Sequence, residues 1–151
     1  MVGVMEFLFY PNMIYPRLEA EIHEGRKRID ILYTNASQSG IFYRLQALPQ
    51  TRSHFVPVEC KNYSREVANP ELDQIAGRFS RERGQFGIVC CRKIDKKDRF
   101  VARCRDTAND GRGIILPLDD DDIIQLLAHV GNNHPTTADE YVNRIVQAIL
   151  S

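Results

Sequence analysis

The chain has 151 residues, 43% of them hydrophobic, and its 20 basic and 20 acidic side chains cancel. That length suits a single domain of 1–151 with one core, and the neutral balance removes net charge as an argument for steering toward a polyanion. The opening "MVGVMEFLFYPNMIYP" is apolar but carries no basic leader and is interrupted by Pro11, so it reads as neither a membrane span nor a secretory signal.

Taken in chain order, "VMEFLF" (4–9) reads as the last turns of a helix cut short by Pro11, and its abrupt start suggests a piece of a longer protein whose other domains or subunits are absent. "LEAEIHE" (18–24) alternates Leu18, Ala20 and Ile22 with Glu19, Glu21 and His23, the period-2 pattern of a strand with one wet face. After the turn "GRK", "RIDILYT" (28–34) follows closely enough to pair with it as an antiparallel hairpin. Ile29, Ile31 and Tyr33 fall on one face and Asp30 on the other. "GIFYRLQAL" (40–48) spaces Phe42, Leu45 and Leu48 as a short helix ended by Pro49, and "HFVPVECKNY" (54–63) is the third strand.

Asn69-Pro70 opens a helix, because Asn caps free amides and Pro in the first turn loses no needed donor. "ELDQIAGRFSRERG" then places Leu72, Ile75, Ala76 and Phe79 on a core stripe and Gln74, Arg78 and Arg81 on another face, with Gly84 as the stop. "FGIVCC" (86–91) and "GIILPL" (113–118) are continuous apolar runs typical of strands covered on both sides. A basic helix is expected over 96–108. "DDDDIIQLLAHV" begins a helix with acids at its positive end, and a last helix over 137–150 turns Tyr141, Ile145, Ala148 and Ile149 inward.

Charge is unevenly distributed along the chain. Residues 78–105 hold ten basic side chains against three acids, a local balance of +7, while eight acids face two arginines from 106 onward. This points to a polyanion-binding face, against the plain alternative of two differently solvated surfaces. The four cysteines, Cys60, Cys90, Cys91 and Cys104, have no CxxC spacing, and most lie in apolar runs, as expected of free thiols in a reducing cytoplasm.

The stretch that carries chemistry is "VECKNYS". Side chains two apart on a strand project to the same side, roughly 6.5–7 Å apart, so Glu59 and Lys61 share a face, and Asp30 reaches that face if the strands are neighbours. Two carboxylates and several waters suit Mg²⁺, a hard ion that keeps part of its hydration shell. A lysine beside them can orient an attacking water or stabilise charge on a phosphate, which together suits phosphodiester hydrolysis. With nine Glu and five Lys in the chain, a Glu-x-Lys triplet arises by chance too readily to carry weight alone. Its plain alternative is a surface ion pair of little energetic value.

The succession of a hairpin bearing "GRKRID", a strand bearing "VECK", a helix bearing Gln74 and a buried strand resembles the PD-(D/E)XK nuclease superfamily over residues 18–92, most closely its bacterial uncharacterised and restriction-type endonucleases. The resemblance implies an α/β fold with a restriction-endonuclease-like αβββαβ core, its mixed sheet flanked by helices. It also implies a Mg²⁺- or Mn²⁺-dependent endonuclease of the restriction, defence or repair type acting on DNA, with homodimers common among relatives. Asp30, Glu59 and the main-chain carbonyl of Cys60 would then bind the metal, and Lys61 would position the nucleophilic water. Gln74 would order waters or contact the backbone, and Arg78 and Arg81 would hold phosphates. Ile29 stands where the motif's proline would be. Glu6 is the only acid of the N-terminal helix, where members often place a further metal-binding glutamate. A nuclease-derived binding or docking module that no longer cuts is the alternative.

Among the remaining motifs, Glu19 and Glu21 are solvated residues or a further ligand. His129 and His134 lack the second pair a zinc site needs. "DDDD" (119–122) lacks the glycine and distal glutamate of a calcium loop and is better explained as helix-start electrostatics.

Overall fold

The computed structural model describes residues 1–62, 68–132 and 135–151. In chain order it comprises α1 (Val2–Phe9), β1 (Met13–Ile22), β2 (Lys27–Asn35), α2 (Gly40–Ala47), β3 (Phe55–Lys61), α3 (Asn69–Ala76), β4 (Phe86–Cys91), α4 (Lys97–Asn109), β5 (Ile114–Leu118), α5 (Asp120–Gly131) and α6 (Pro135–Leu150). It is an α/β architecture with an open five-stranded sheet in the order β1-β2-β3-β4-β5. β2 runs antiparallel to both of its neighbours, β1 and β3, and β3, β4 and β5 are parallel. No helix among the described residues is long and apolar enough to cross a membrane.

The apolar runs become the inner strands because both of their faces are covered: every residue of β4 and of β5 is buried. Phe9 of α1, Phe42 of α2 and Phe86 of β4 meet edge to face, with centroid separations of 5.3 and 6.0 Å, and knit one helical layer to the sheet. On the opposite face α3 lies over β4 and β5. There Gly87 has no side chain to obstruct Ile75 and Phe79; a β-carbon at Gly87 would sit 2.8 Å from the Phe79 ring. The sheet face beneath α3 is also the face that carries Glu59 and Lys61.

Several expected boundaries move. β1 begins at Met13 rather than Leu18, running through Pro16 with a register shift between Ile14 and Arg17. Proline is tolerated there because β1 is an edge strand. Leu18, expected inward beside Ala20 and Ile22, is 63% exposed, with the strand turned at Glu19, whose φ is +51°. Ile29 leaves the main core for a small cluster with Ala20, Ile22 and Leu32. Leu48, expected on the buried stripe of α2, lies one residue past the helix and is largely exposed. The core face of α6 is Ala138, Val142, Val146 and Ile149; Ala148 is exposed, and Tyr141 and Ile145 are half-buried. Tyr63, at the end of the expected third strand, lies outside the described residues.

The largest correction concerns α3. It ends at Ala76 with Gly77 as its cap, so Arg78 and Arg81 are not on a helix. Asn69 is inside the helix rather than capping it, and Glu71 closes the first turn by accepting the Ala68 N–H at 2.8 Å. Gly84 does not stop a helix either. It closes a tight turn through reciprocal main-chain bonds with Ser80. Its φ is +107°, and a β-carbon there would sit 2.6 Å from the Arg52 carbonyl oxygen. That left-handed conformation and that approach to main chain both require glycine. Gly84→Ala is therefore expected to lower unfolding free energy by about 2 kcal/mol or more. Gly3→Ala, in open space on α1, should leave it unchanged or slightly raised. Urea denaturation of the two variants beside the wild type checks the pair.

Candidate active site

The site forms where the β2–β3 ladder ends. Ile31 pairs with Val58, so the next step along each strand sets Asp30 beside Glu59. The Asp30 side chain takes over from the ladder, with Oδ2 accepting the Cys60 N–H at 2.8 Å. The N–H and C=O of one strand residue point toward the same neighbour, which turns the Cys60 carbonyl toward Asp30 as well. The Cys60 thiol points the other way and packs against the core, with its pKa raised chiefly by burial.

Glu59 is 1% exposed and shares a hydrogen bond with Asp30. Burial first, then the Asp30 charge and that hydrogen bond, push the Glu59 carboxyl up to about 7, against the opposing pull of Lys61 and Arg78. Two carboxyls this close, one of them fully buried, cannot both ionise cheaply, so a proton on Glu59 joins them. Lys61 is also buried, and its ammonium donates to Gln74 Oε1 at 2.6 Å. Gln74 hangs over the dyad from α3. Arg78 arrives from the loop after that helix, with Nε 3.4 Å from Glu59 Oε1.

Asp30, Glu59, Lys61, Gln74 and Arg78 are thus brought together, with the Cys60 main chain at the edge. Arg81 is not: it is exposed on the turn closed by Gly84 and borders a separate hollow of about 340 Å³ with Arg52, Ser80 and Gln85. Glu19 and Glu21 lie outside the site, both within 4 Å of the Arg28 guanidinium. Glu6 is exposed on α1, on the side of Tyr33, whose hydroxyl pKa its charge helps burial raise to about 12. His134 falls outside the described residues. Among the described residues no three His, Cys, Asp or Glu side chains form a metal-binding group. The donor set offered to a cation is therefore two carboxylates and one main-chain carbonyl, which leaves room for the waters a hard divalent ion retains. An acid pair, with no third acid beside it among the described residues, fits such an ion.

Two features escaped sequence reasoning. Arg83 braces the loop from which Arg78 projects, its Nε donating to the Arg78 carbonyl at 3.0 Å; nothing in the spacing marks it apart from its neighbours. A second polar cluster forms where Lys97 bridges Asp119 and Asp122 while the Tyr141 hydroxyl donates to Asp122 at 2.6 Å. It borders a cavity of about 590 Å³ between α4 and α6, away from the dyad. The expected basic surface is partly consumed in the same way, since Arg92 pairs with Asp120 and Arg105 donates to the Ala148 carbonyl. Arg92 and Lys97 are thereby paired with aspartates of the acidic second half.

Comparison of the chain with protein-family models, with curated proteins and with solved structures finds no match.

The raised Glu59 pKa has a thermodynamic consequence. The folded state holds this proton more tightly than the unfolded chain does, so the stabilisation is present at acid pH and is lost as pH rises through about 7. In chelator, the wild type should lose on the order of 3 kcal/mol from this group between pH 5 and 9, and Glu59→Gln should remove most of that slope. Denaturant titrations across this range check it; equal slopes in the two proteins would contradict the shared proton.

Proposed function

We propose that the chain is a divalent-metal-dependent nuclease of the PD-(D/E)XK type that hydrolyses phosphodiester bonds in DNA. The observation that carries this reading is the meeting of Asp30, Glu59 and Lys61 at the end of the β2–β3 ladder, with Gln74 fixed over them by α3. The order of α1, the antiparallel β1-β2-β3, α3 and the parallel β4 supports a restriction-endonuclease-like core. α2 is an added helix between β2 and β3. Four free cysteines suit a reducing cytoplasm, and a homodimer would fit the type.

Asp30, Glu59 and the Cys60 carbonyl would hold Mg²⁺ or Mn²⁺, which supplies an acidified water and neutralises phosphate oxygens when bound. The residues of the chain do the rest. Loss of the Glu59 proton frees both carboxylates as ligands. Gln74 holds the Lys61 ammonium by its Oε1, so that Lys61 faces the attacking water in one orientation and counters charge gathering on the phosphate. Gln74 acts through Lys61 and is a positioning residue. A hollow of about 240 Å³ touches Lys61 at the carboxyl ends of β3, β4 and β5, but it is lined otherwise by residues such as Cys60, Cys90 and Leu118 and by neither carboxylate of the dyad.

The second reading, a binding module that no longer cuts, is favoured by one observation: Arg78 already occupies Glu59. Plasmid incubated with the protein and Mg²⁺ or Mn²⁺ separates the two. The nuclease reading expects nicking that chelator stops and that Lys61→Ala and Asp30→Ala each lower by at least about 100-fold, with unchanged circular dichroism. Cleavage that survives in both variants and in chelator would overturn it. A salt-sensitive shift of labelled DNA without nicking would establish the module instead.

A further inference from the structure

The contact between Arg78 and Glu59 has the geometry of a temporary partner. Glu59 is buried and needs a cation beside it once ionised, and two cations are near. The Lys61 charge also acts on Glu59, but its ammonium donates to Gln74 at 2.6 Å, whereas Arg78 contacts the carboxylate itself. Arg78 offers only Nε, at 3.4 Å, to a single oxygen, whereas a strong charge-assisted bond closes to about 2.7–2.9 Å and a guanidinium can present two donors in parallel. Among the described residues its two terminal nitrogens meet no acceptor. The base of the side chain, by contrast, is fixed. The Arg78 N–H donates to the Ile75 carbonyl at 2.8 Å, and its own carbonyl is held by Arg83. A long side chain on an anchored base, 13% exposed and joined to its partner by one long contact, can leave that partner without disturbing the loop.

We propose that Arg78 is the resident counter-ion of Glu59, displaced when a divalent ion enters, and that the released guanidinium then holds a phosphate of the nucleic acid. The inference rests on the metal-dependent reading above and adds to it an order of events. Arg78 offsets the Glu59 charge in the unloaded site, and only the loaded protein presents its guanidinium to substrate. Phosphate binding is thereby tied to metal binding through one side chain, with no movement of the sheet.

Calorimetric titration of Mn²⁺ without DNA tests the displacement. Arg78→Met, of similar length but uncharged, should bind Mn²⁺ about tenfold more tightly than the wild type, because no cation has to leave. Equal or weaker binding by this variant would overturn the proposal and make Arg78 a structural support, while leaving the metal reading intact if the wild type binds. No Mn²⁺ binding by the wild type would remove both. The second half is tested with a labelled duplex in Ca²⁺ and in chelator. Ca²⁺ should raise wild-type affinity severalfold and leave Arg78→Met unchanged; an equal rise in both would overturn the transfer to phosphate. Should Arg78→Met fail to fold, the ¹⁵N-labelled wild type decides. Its Arg78 Nε–H should exchange faster with water as Mg²⁺ saturates, and an unchanged rate would refute displacement.

Discussion

A single hydrogen bond, from the Cys60 amide to the Asp30 carboxylate, organises the functional face. It substitutes a side chain for the next rung of the β2–β3 ladder and so brings an acid from each strand to the same point. β3 is the middle strand of five, with an antiparallel neighbour on one side and a parallel neighbour on the other, and Gln74 of α3 reaches over its end at Lys61. Side chains there are buried whatever their chemistry. Burying Glu59, Lys61 and part of Asp30 at that position costs stability that hydrophobic residues of similar volume would not. The compensation is visible in the partners each group finds: the Cys60 amide for Asp30, Gln74 for the ammonium and Arg78 for Glu59. Charged groups held against that penalty in the centre of a sheet are better explained by chemistry than by folding.

The same arrangement explains why α3 is short. Gln74 must lie over Lys61 and Phe79 must reach Gly87, and a helix continuing past Ala76 would carry Arg78 along its own surface. The chain turns at Gly77 instead, and the loop delivers Arg78 inward. Arg83, with Nη2 buried and no acceptor among the described residues, braces that loop. The second polar cluster, by contrast, is internally complete: Lys97, Asp119, Asp122 and Tyr141 satisfy one another, and Asp119 and Asp122 also exchange the cap bonds of α5. It ties α4 to α5 and α6 and leaves no group over for chemistry.

Much of the site was legible because it depends on strand parity, which sequence states directly. Glu59 and Lys61 share a face by their spacing, Asp30 opposes Ile29 and Ile31 along β2, and a buried β4 follows from its continuous apolar run. What sequence could not state was where periodic patterns stop. Leu72, Ile75, Ala76 and Phe79 fit one helical stripe, yet Phe79 reaches its place from a loop, its ring lying where two glycines distant in sequence, 87 and 113, leave room that a β-carbon would fill. Arg81 was lost for the same reason. The charge asymmetry misled differently: counting cannot show that Arg92 and Lys97 are neutralised by aspartates some 22 to 28 positions downstream.

The central claim is that Asp30, Glu59 and the Cys60 carbonyl together form a seat for one divalent ion. Anomalous scattering from a crystal soaked in Mn²⁺ at about pH 8.5 tests it most directly. The account predicts a peak about 2.0–2.3 Å from an oxygen of each of the three. A peak at Asp119 and Asp122 with none at the dyad, or no peak on the protein at millimolar Mn²⁺, would contradict it.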